Sequence, residues 1–185
     1  MKKISIITTL LLFIAMTFTS ESMAQNFSKL DVSPMDAASY PSDYKVSLKE
    51  VKVIYSRPQL KERTLSELAP NGKVWRTGAN EATEITFYKD MFLGETPIKA
   101  GTYSLFTIPG EKAWTIIISK DLNVWGSYFY NEKNDVARIK VPVTVKKDSV
   151  EAFSIAFEGS KNGFDMYLGW SNVRVSVPFK DRFAK

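Results

Sequence analysis

The densest set of chemically capable side chains in this 185-residue sequence lies between Asn71 and Thr83. A Pro70-Asn71-Gly72 turn leads into Val74-Trp75-Arg76-Thr77-Gly78-Ala79-Asn80-Glu81-Ala82-Thr83, with Gly78 allowing a sharp bend. An aromatic plate, a guanidinium, an amide, a carboxylate and two hydroxyls therefore share one short stretch. Such a set can bind: Arg76 can fork onto a carboxylate or phosphate, Trp75 can stack on a sugar face, and Asn80 and Glu81, with Thr77 beside them, can bond hydroxyls. The same residues can equally satisfy one another, with Arg76 pairing to Glu81 and Asn80 capping backbone groups. Arg57 raises the same two possibilities. It can converge with Arg76 on an anionic group, or it can neutralise Asp36, Glu81 or Glu84. Of the four tryptophans, Trp75 is expected to be partly exposed, with Trp114, Trp125 and Trp170 in the core.

What the sequence lacks narrows the chemistry further. It has no histidine and no cysteine, so a serine triad has no base, a zinc hydrolase has none of its usual nitrogen ligands, and thiol redox chemistry is excluded. There is no glycine-rich phosphate loop, dinucleotide fingerprint or acidic calcium loop, so no cofactor and no metal is expected. Three readings remain. The first is a non-catalytic binding module for an anionic or carbohydrate ligand, using Arg57, Trp75, Arg76, Thr77, Asn80 and Glu81. The second is a hydrolase or lyase acting on a glycan, with Glu81 and either Asp36 or Glu84 as acid and base about 5 to 10 Å apart. Glu84 suits that role poorly, because residues three apart along an extended strand point to opposite faces. The third is a structural or protein-interaction domain that docks a partner on a sheet edge.

The elements that would hold these residues are strands. Val51, Val53 and Tyr55 alternate with Lys52, Ile54 and Ser56, and Pro58 ends the run for want of an amide hydrogen. Thr83, Ile85 and Phe87 alternate with Glu84, Thr86 and Tyr88 in the same way. Tyr103 to Ile108 and Trp114 to Ser119 flank Pro109-Gly110-Glu111-Lys112, which predicts a hairpin whose nearly continuous apolar content marks central strands covered on both faces. Val136 to Val145, with Pro142 at an edge or bulge, Ala152 to Phe157, Met166 to Trp170 and Val173 to Val177 complete the pattern. Only Arg63 to Leu68 and the segment around Asp121 look helical, and each has room for one turn. About ten short strands predict an all-β, antiparallel, jelly-roll-like β-sandwich with short helical turns over residues 46–185. Residues 25–45, with Pro34 and Pro41, read as an extended arm lying against it through apolar residues such as Met35 and Tyr40.

The first residues carry an export signal: Lys2 and Lys3, an apolar run from Ile4 to Phe18, and small residues at Ser22 and Ala24 that place cleavage after Ala24. The expected product is periplasmic or extracellular, with no membrane span after cleavage. The formal charge of +5 on the whole chain is spread among acids without a basic stripe, so no nucleic-acid partner is expected.

Four stretches together resemble a known family: Tyr55-Ser56-Arg57-Pro58, Gly72 to Thr83, Gly101-Thr102-Tyr103-Ser104-Leu105-Phe106-Thr107-Ile108-Pro109, and Trp125-Gly126. They are similar to domain-of-unknown-function family 2911, and Ser33-Pro34-Met35-Asp36 fits the same pattern. The resemblance implies export, a Gram-negative envelope setting and a β-rich fold, and it supplies no activity, substrate or catalytic residue. The chain departs from the pattern between Pro58 and Pro70, where Glu62 stands in place of a glycine.

Overall fold

Alternation becomes geometry most plainly in β2 (Val51–Ser56). There Val51, Val53 and Tyr55 are buried while Lys52 stands exposed. In a computed structural model that describes residues 25–182, two units are distinguished, Met1–Leu30 and Asp31–Lys185, and every regular element among the described residues belongs to the second. The leader expected over residues 1–24 lies outside the described residues. Nine strands form one antiparallel sheet: β1 (Met35–Tyr40), β2, β3 (Ala79–Phe87), β4 (Met91–Leu93), β5 (Thr96–Ile98), β6 (Gly101–Ile108), β7 (Ala113–Ser119), β8 (Asp135–Ser160) and β9 (Gly163–Asp181). Their spatial order is β1-β2-β3-β6-β7-β8-β9-β4-β5. The all-β, antiparallel class is as expected, and the hydrogen-bonded order runs through all nine strands, with β8 shared between the ladder of β1, β2, β3, β6 and β7 and the ladder of β9, β4 and β5.

The continuity comes from β8. Its first part pairs with β7 as far as Pro142 opposite Ala113, and from Val143 onward it pairs with β9. Pro142 has no amide hydrogen to give a ladder, so it sits where the strand changes partner. Register shifts between Val145 and Ser154 let the strand bend there. The sheet thereby turns one face onto itself: Tyr55 of β2 meets Phe153 of β8 at 5.7 Å and Phe87 of β3 meets Phe179 of β9 at 5.4 Å. The buried Tyr55 hydroxyl accepts the Ile155 amide at 3.0 Å, which satisfies the one polar group this contact would strand. Where two strands each were expected from 136–157 and 166–177, the chain makes two long bent ones.

Three strands carry too little pattern to be read in advance. β1 lies within the segment read as an irregular arm, and it pairs along its whole length with β2. β4 and β5 form a three-residue hairpin at the far edge. The single helical turn α1 (Leu65–Leu68) falls where expected, closed by a Thr64/Glu67 capping box. No helix forms around Asp121. A 3-10 turn forms instead at Glu132–Asn134.

The β6–β7 hairpin is central and covered on both faces, as its composition requires. Leu105 and Ile116 face the common core, while Phe106, on the opposite face, packs on Tyr130 at 5.1 Å. Tyr130 belongs to the long β7–β8 connection, which is pinned at this end by a polar latch. Its hydroxyl donates to Asp135 at 2.8 Å and accepts from Arg138 at 2.7 Å, and Arg138 also pairs with Asp135 at 2.6 Å. Burial, with the Asp135 carboxylate next, pushes the Tyr130 phenol up to about 12, so it stays a donor at any physiological pH.

Candidate functional site

The stretch from Trp75 to Thr83 is split by the fold into an inner and an outer part. Trp75 hydrogen-bonds both ways with Thr107 of β6, at 2.7 and 2.9 Å, and this turns its indole inward. There it stacks on Trp170 at 5.4 Å and meets Phe153 and Trp114 edge-on, while its ring N–H donates to the Gly78 carbonyl. It is only 6% exposed, so the expected binding plate is a core residue. Thr77 is fully buried in a hydroxyl chain with Thr107, and its carbonyl accepts from Thr83. Gly78 is needed for close packing rather than for a bend, because a Cβ there would lie 3.0 Å from both the Ser56 carbonyl and the Thr83 hydroxyl.

The outer part is produced by a bulge. Ile54 pairs with Glu84 but Ser56 pairs with Ala79, so a two-residue step on β2 answers a five-residue step on β3. Asn80, at φ 60°, turns the extra residues out of the ladder. They bond instead to the β7–β8 connection: the Gly126 amide donates to Asn80 at 3.0 Å, the Ala82 amide donates to Val124 at 2.9 Å, and Glu81 stands opposite Trp125. Side chains opposite one another in such a bridge share a face. Trp125 is 57% exposed beside Glu81, and the two line a cavity of about 300 Å³ with Asn80, Asp31, Ser33, Met35 and Ser56. Trp125, expected in the core, is the exposed plate, and the exchange with Trp75 follows from this bulge.

A smaller space of about 90 Å³ adjoins it, lined by Glu81 and Glu84 together with Ser56, Ser104 and Asn123. The two residues, expected on opposite faces, both line this space, and the pairing irregularity spanning Ala79 to Glu84 interrupts the regular alternation of this part of β3. Among the described residues, no hydrogen bond or ion pair engages the Glu81 or Glu84 carboxylate or the Asn80 amide.

The two arginines part company. Arg57 donates to the Phe153 carbonyl at 3.0 Å, the Ser154 hydroxyl at 2.6 Å and Asp36 at 3.0 Å, stapling the end of β2 to β1 and β8. Its charge is paired with Asp36 rather than turned to the cavity, whose lining includes neither residue. Arg76 does not pair with Glu81 or with any other acid among the described residues. Its Nε is shielded from solvent with no hydrogen-bond partner, and burial pushes its guanidinium below the ordinary arginine value. Of the six residues expected to bind, Asn80 and Glu81 meet at the cavity, whereas Arg57, Trp75 and Thr77 serve the fold. Trp125 was missed, although Trp125-Gly126 stands out in the sequence as a tryptophan in a polar, strand-poor segment.

Among the described residues there is no group of three or more acids placed to hold a metal ion, and no helix is long and apolar enough to cross a membrane. A family model described as "Protein of unknown function (DUF2911)" matches residues 33–179. No curated protein and no solved structure matches the chain.

Proposed function

The chain belongs to the DUF2911 family of proteins of unknown function, and from that premise we propose that it is an exported, non-catalytic module that binds a neutral, hydroxyl-rich ligand of the carbohydrate type. What supports this reading is the exposed Trp125 ring beside unengaged Glu81 and Asn80 at the mouth of the 300 Å³ cavity. A tryptophan face takes the apolar face of a pyranose ring, and a carboxylate and an amide take its hydroxyls. With Asp31 and Glu81 on the lining and no cation there, an anionic ligand suits this cavity poorly. Trp125 thus inherits the stacking role expected of Trp75, and Glu81 and Asn80 keep theirs.

The test is calorimetric titration of the mature chain, its start at Gln25 first verified by mass spectrometry, against neutral oligosaccharides. Saturable heat that is lost in both Trp125→Ala and Glu81→Gln is the expected result. Binding unchanged in both variants would overturn the assignment.

One observation favours a second reading, the carboxylate-dependent hydrolase: Glu81 and Glu84 border the same small space. On that reading a neutral oligosaccharide is cleaved, not merely held, and Glu81→Gln and Glu84→Gln each abolish turnover. A reducing-end assay on the calorimetry samples separates the two. The 90 Å³ between the acids is well below the roughly 300 Å³ at which ligand pockets begin, which is why binding is put first.

A further inference from the structure

Among the described residues, Arg76 is a partly buried guanidinium with no ion-pair partner, and it is not among the residues that line the Trp125 cavity. Desolvating a guanidinium costs several kcal/mol unless an anion or a full set of acceptors repays it. The other arginines with buried or half-buried ends are repaid. Arg57 donates to three acceptors, Arg138 to Asp135, Glu132 and Tyr130, and Arg174 to Asp148 and to backbone carbonyls. Arg76 alone among the described residues has a solvent-shielded polar atom that meets nothing. Among the described residues no acid lies within ion-pairing distance of it, and burial holds its guanidinium below the ordinary arginine value.

A Cβ placed on Gly126 would fall 2.8 Å from the Tyr128 ring and 3.6 Å from Arg76 Nη1, so both side chains lie close to that glycine. Yet the Tyr128 ring is 80% exposed and makes no ring contact or hydrogen bond among the described residues, and Phe129 next to it is 73% exposed. The shielded Nε of Arg76 is thus left with an unmet donor beside exposed aromatic side chains.

We propose that Arg76, which does not line the Trp125 cavity, is an oxyanion-binding site for a carboxylate or phosphate group. An oxyanion set against the Nε and Nη edge would accept two parallel N–H bonds, supplying both the missing acceptor and the missing charge. The Tyr128 hydroxyl can donate a third bond. The exposed Tyr128 and Phe129 rings admit an anion attached to apolar matter as readily as a free one, so a small solute and a lipid headgroup share the chemistry.

The experiment needs no variant at first. On the mature, isotope-labelled chain, the Nε–H proton and nitrogen resonances of Arg76 are followed during titration with inorganic phosphate and, separately, acetate at constant ionic strength. Arg57 Nε–H, already bonded to the Phe153 carbonyl, is the internal reference. The expected result is a saturable downfield shift of Arg76 alone, with a melting temperature that rises with the logarithm of phosphate concentration in wild type and stays flat in Arg76→Gln. A further arm uses vesicles of phosphatidylglycerol against phosphatidylcholine. Sedimentation with the anionic vesicles only, lost in Arg76→Gln, assigns the headgroup, and solute shifts without sedimentation assign the free anion. No shift of Arg76 in any arm, or equal shifts of Arg57 and Arg76, would overturn the proposal. Because the Trp125→Ala variant leaves Arg76 intact, it should retain the anion response even if the carbohydrate reading fails.

Discussion

Replacing Trp75 and Trp125 separately by alanine sets the two roles of tryptophan in this chain against each other. Trp75 is 6% exposed and touches three aromatic rings at 5.0 to 6.1 Å. Truncating such a ring removes its transfer free energy and leaves a cavity the neighbours fill only in part, about 3–5 kcal/mol in total. The ring N–H bond to the Gly78 carbonyl goes with it, which makes the upper end of that range the better expectation. For a domain of this size the loss corresponds to a fall in melting temperature of roughly 6–20 °C. Trp125 is 57% exposed, and its truncation should change stability by no more than about 0.5 kcal/mol. Urea denaturation followed by far-ultraviolet dichroism measures both, and an unchanged slope with a shifted midpoint identifies a true stability change. Equal losses in the two variants, or a larger loss in Trp125→Ala, would refute the assignment of Trp75 to the core and of Trp125 to the surface.

Acid sensitivity should trace in part to Asp90. Its carboxylate accepts from Lys99, the Ala100 amide and Arg182, which hold it down at about 2 against an ordinary 3.8. A carboxyl lowered by folding contributes stability above its unfolded value and loses it as pH falls. Wild type should therefore lose stability more steeply than Asp90→Asn between about pH 4 and 2, read from urea midpoints, and parallel curves would count against it. At Glu62 φ is 67°, in the left-handed region. Glu62→Gly should stabilise by up to about 1 kcal/mol by removing a left-handed non-glycine residue, and a lower urea midpoint would contradict that strain.

Much of this could be read along the chain because it depends on neighbours in sequence. The alternation in Val51–Ser56 and 83–88 depends on which side of a pleat each residue faces, and the Pro109–Lys112 turn on local backbone preference. The family kinship rests on residue types and order alone. β4 and β5, at three residues each, are too short for a period to register. The joining of 135–160 into one strand could not be read either, because Pro142 and the polar residues Lys146 to Ser149 look like a break until a second partner strand is in place.

The candidate site is where local reasoning ends. Of the polar residues at 71–83, Asn80 and Glu81 line the cavity. Which side each neighbour takes is decided by pairing with residues far along the chain: Thr107 draws Trp75 inward, and residues 124–126 draw 80–82 outward. Arg57 is closed by Phe153 and Ser154, nearly a hundred residues away, while Arg76 finds no acid at all. Composition and periodicity determined that this chain would be a cysteine-free antiparallel sheet. Exposure and hydrogen bonding are properties of three-dimensional neighbourhoods, so only the tertiary structure could decide which tryptophan faces solvent and which arginine lacks an ion-pair partner among the described residues.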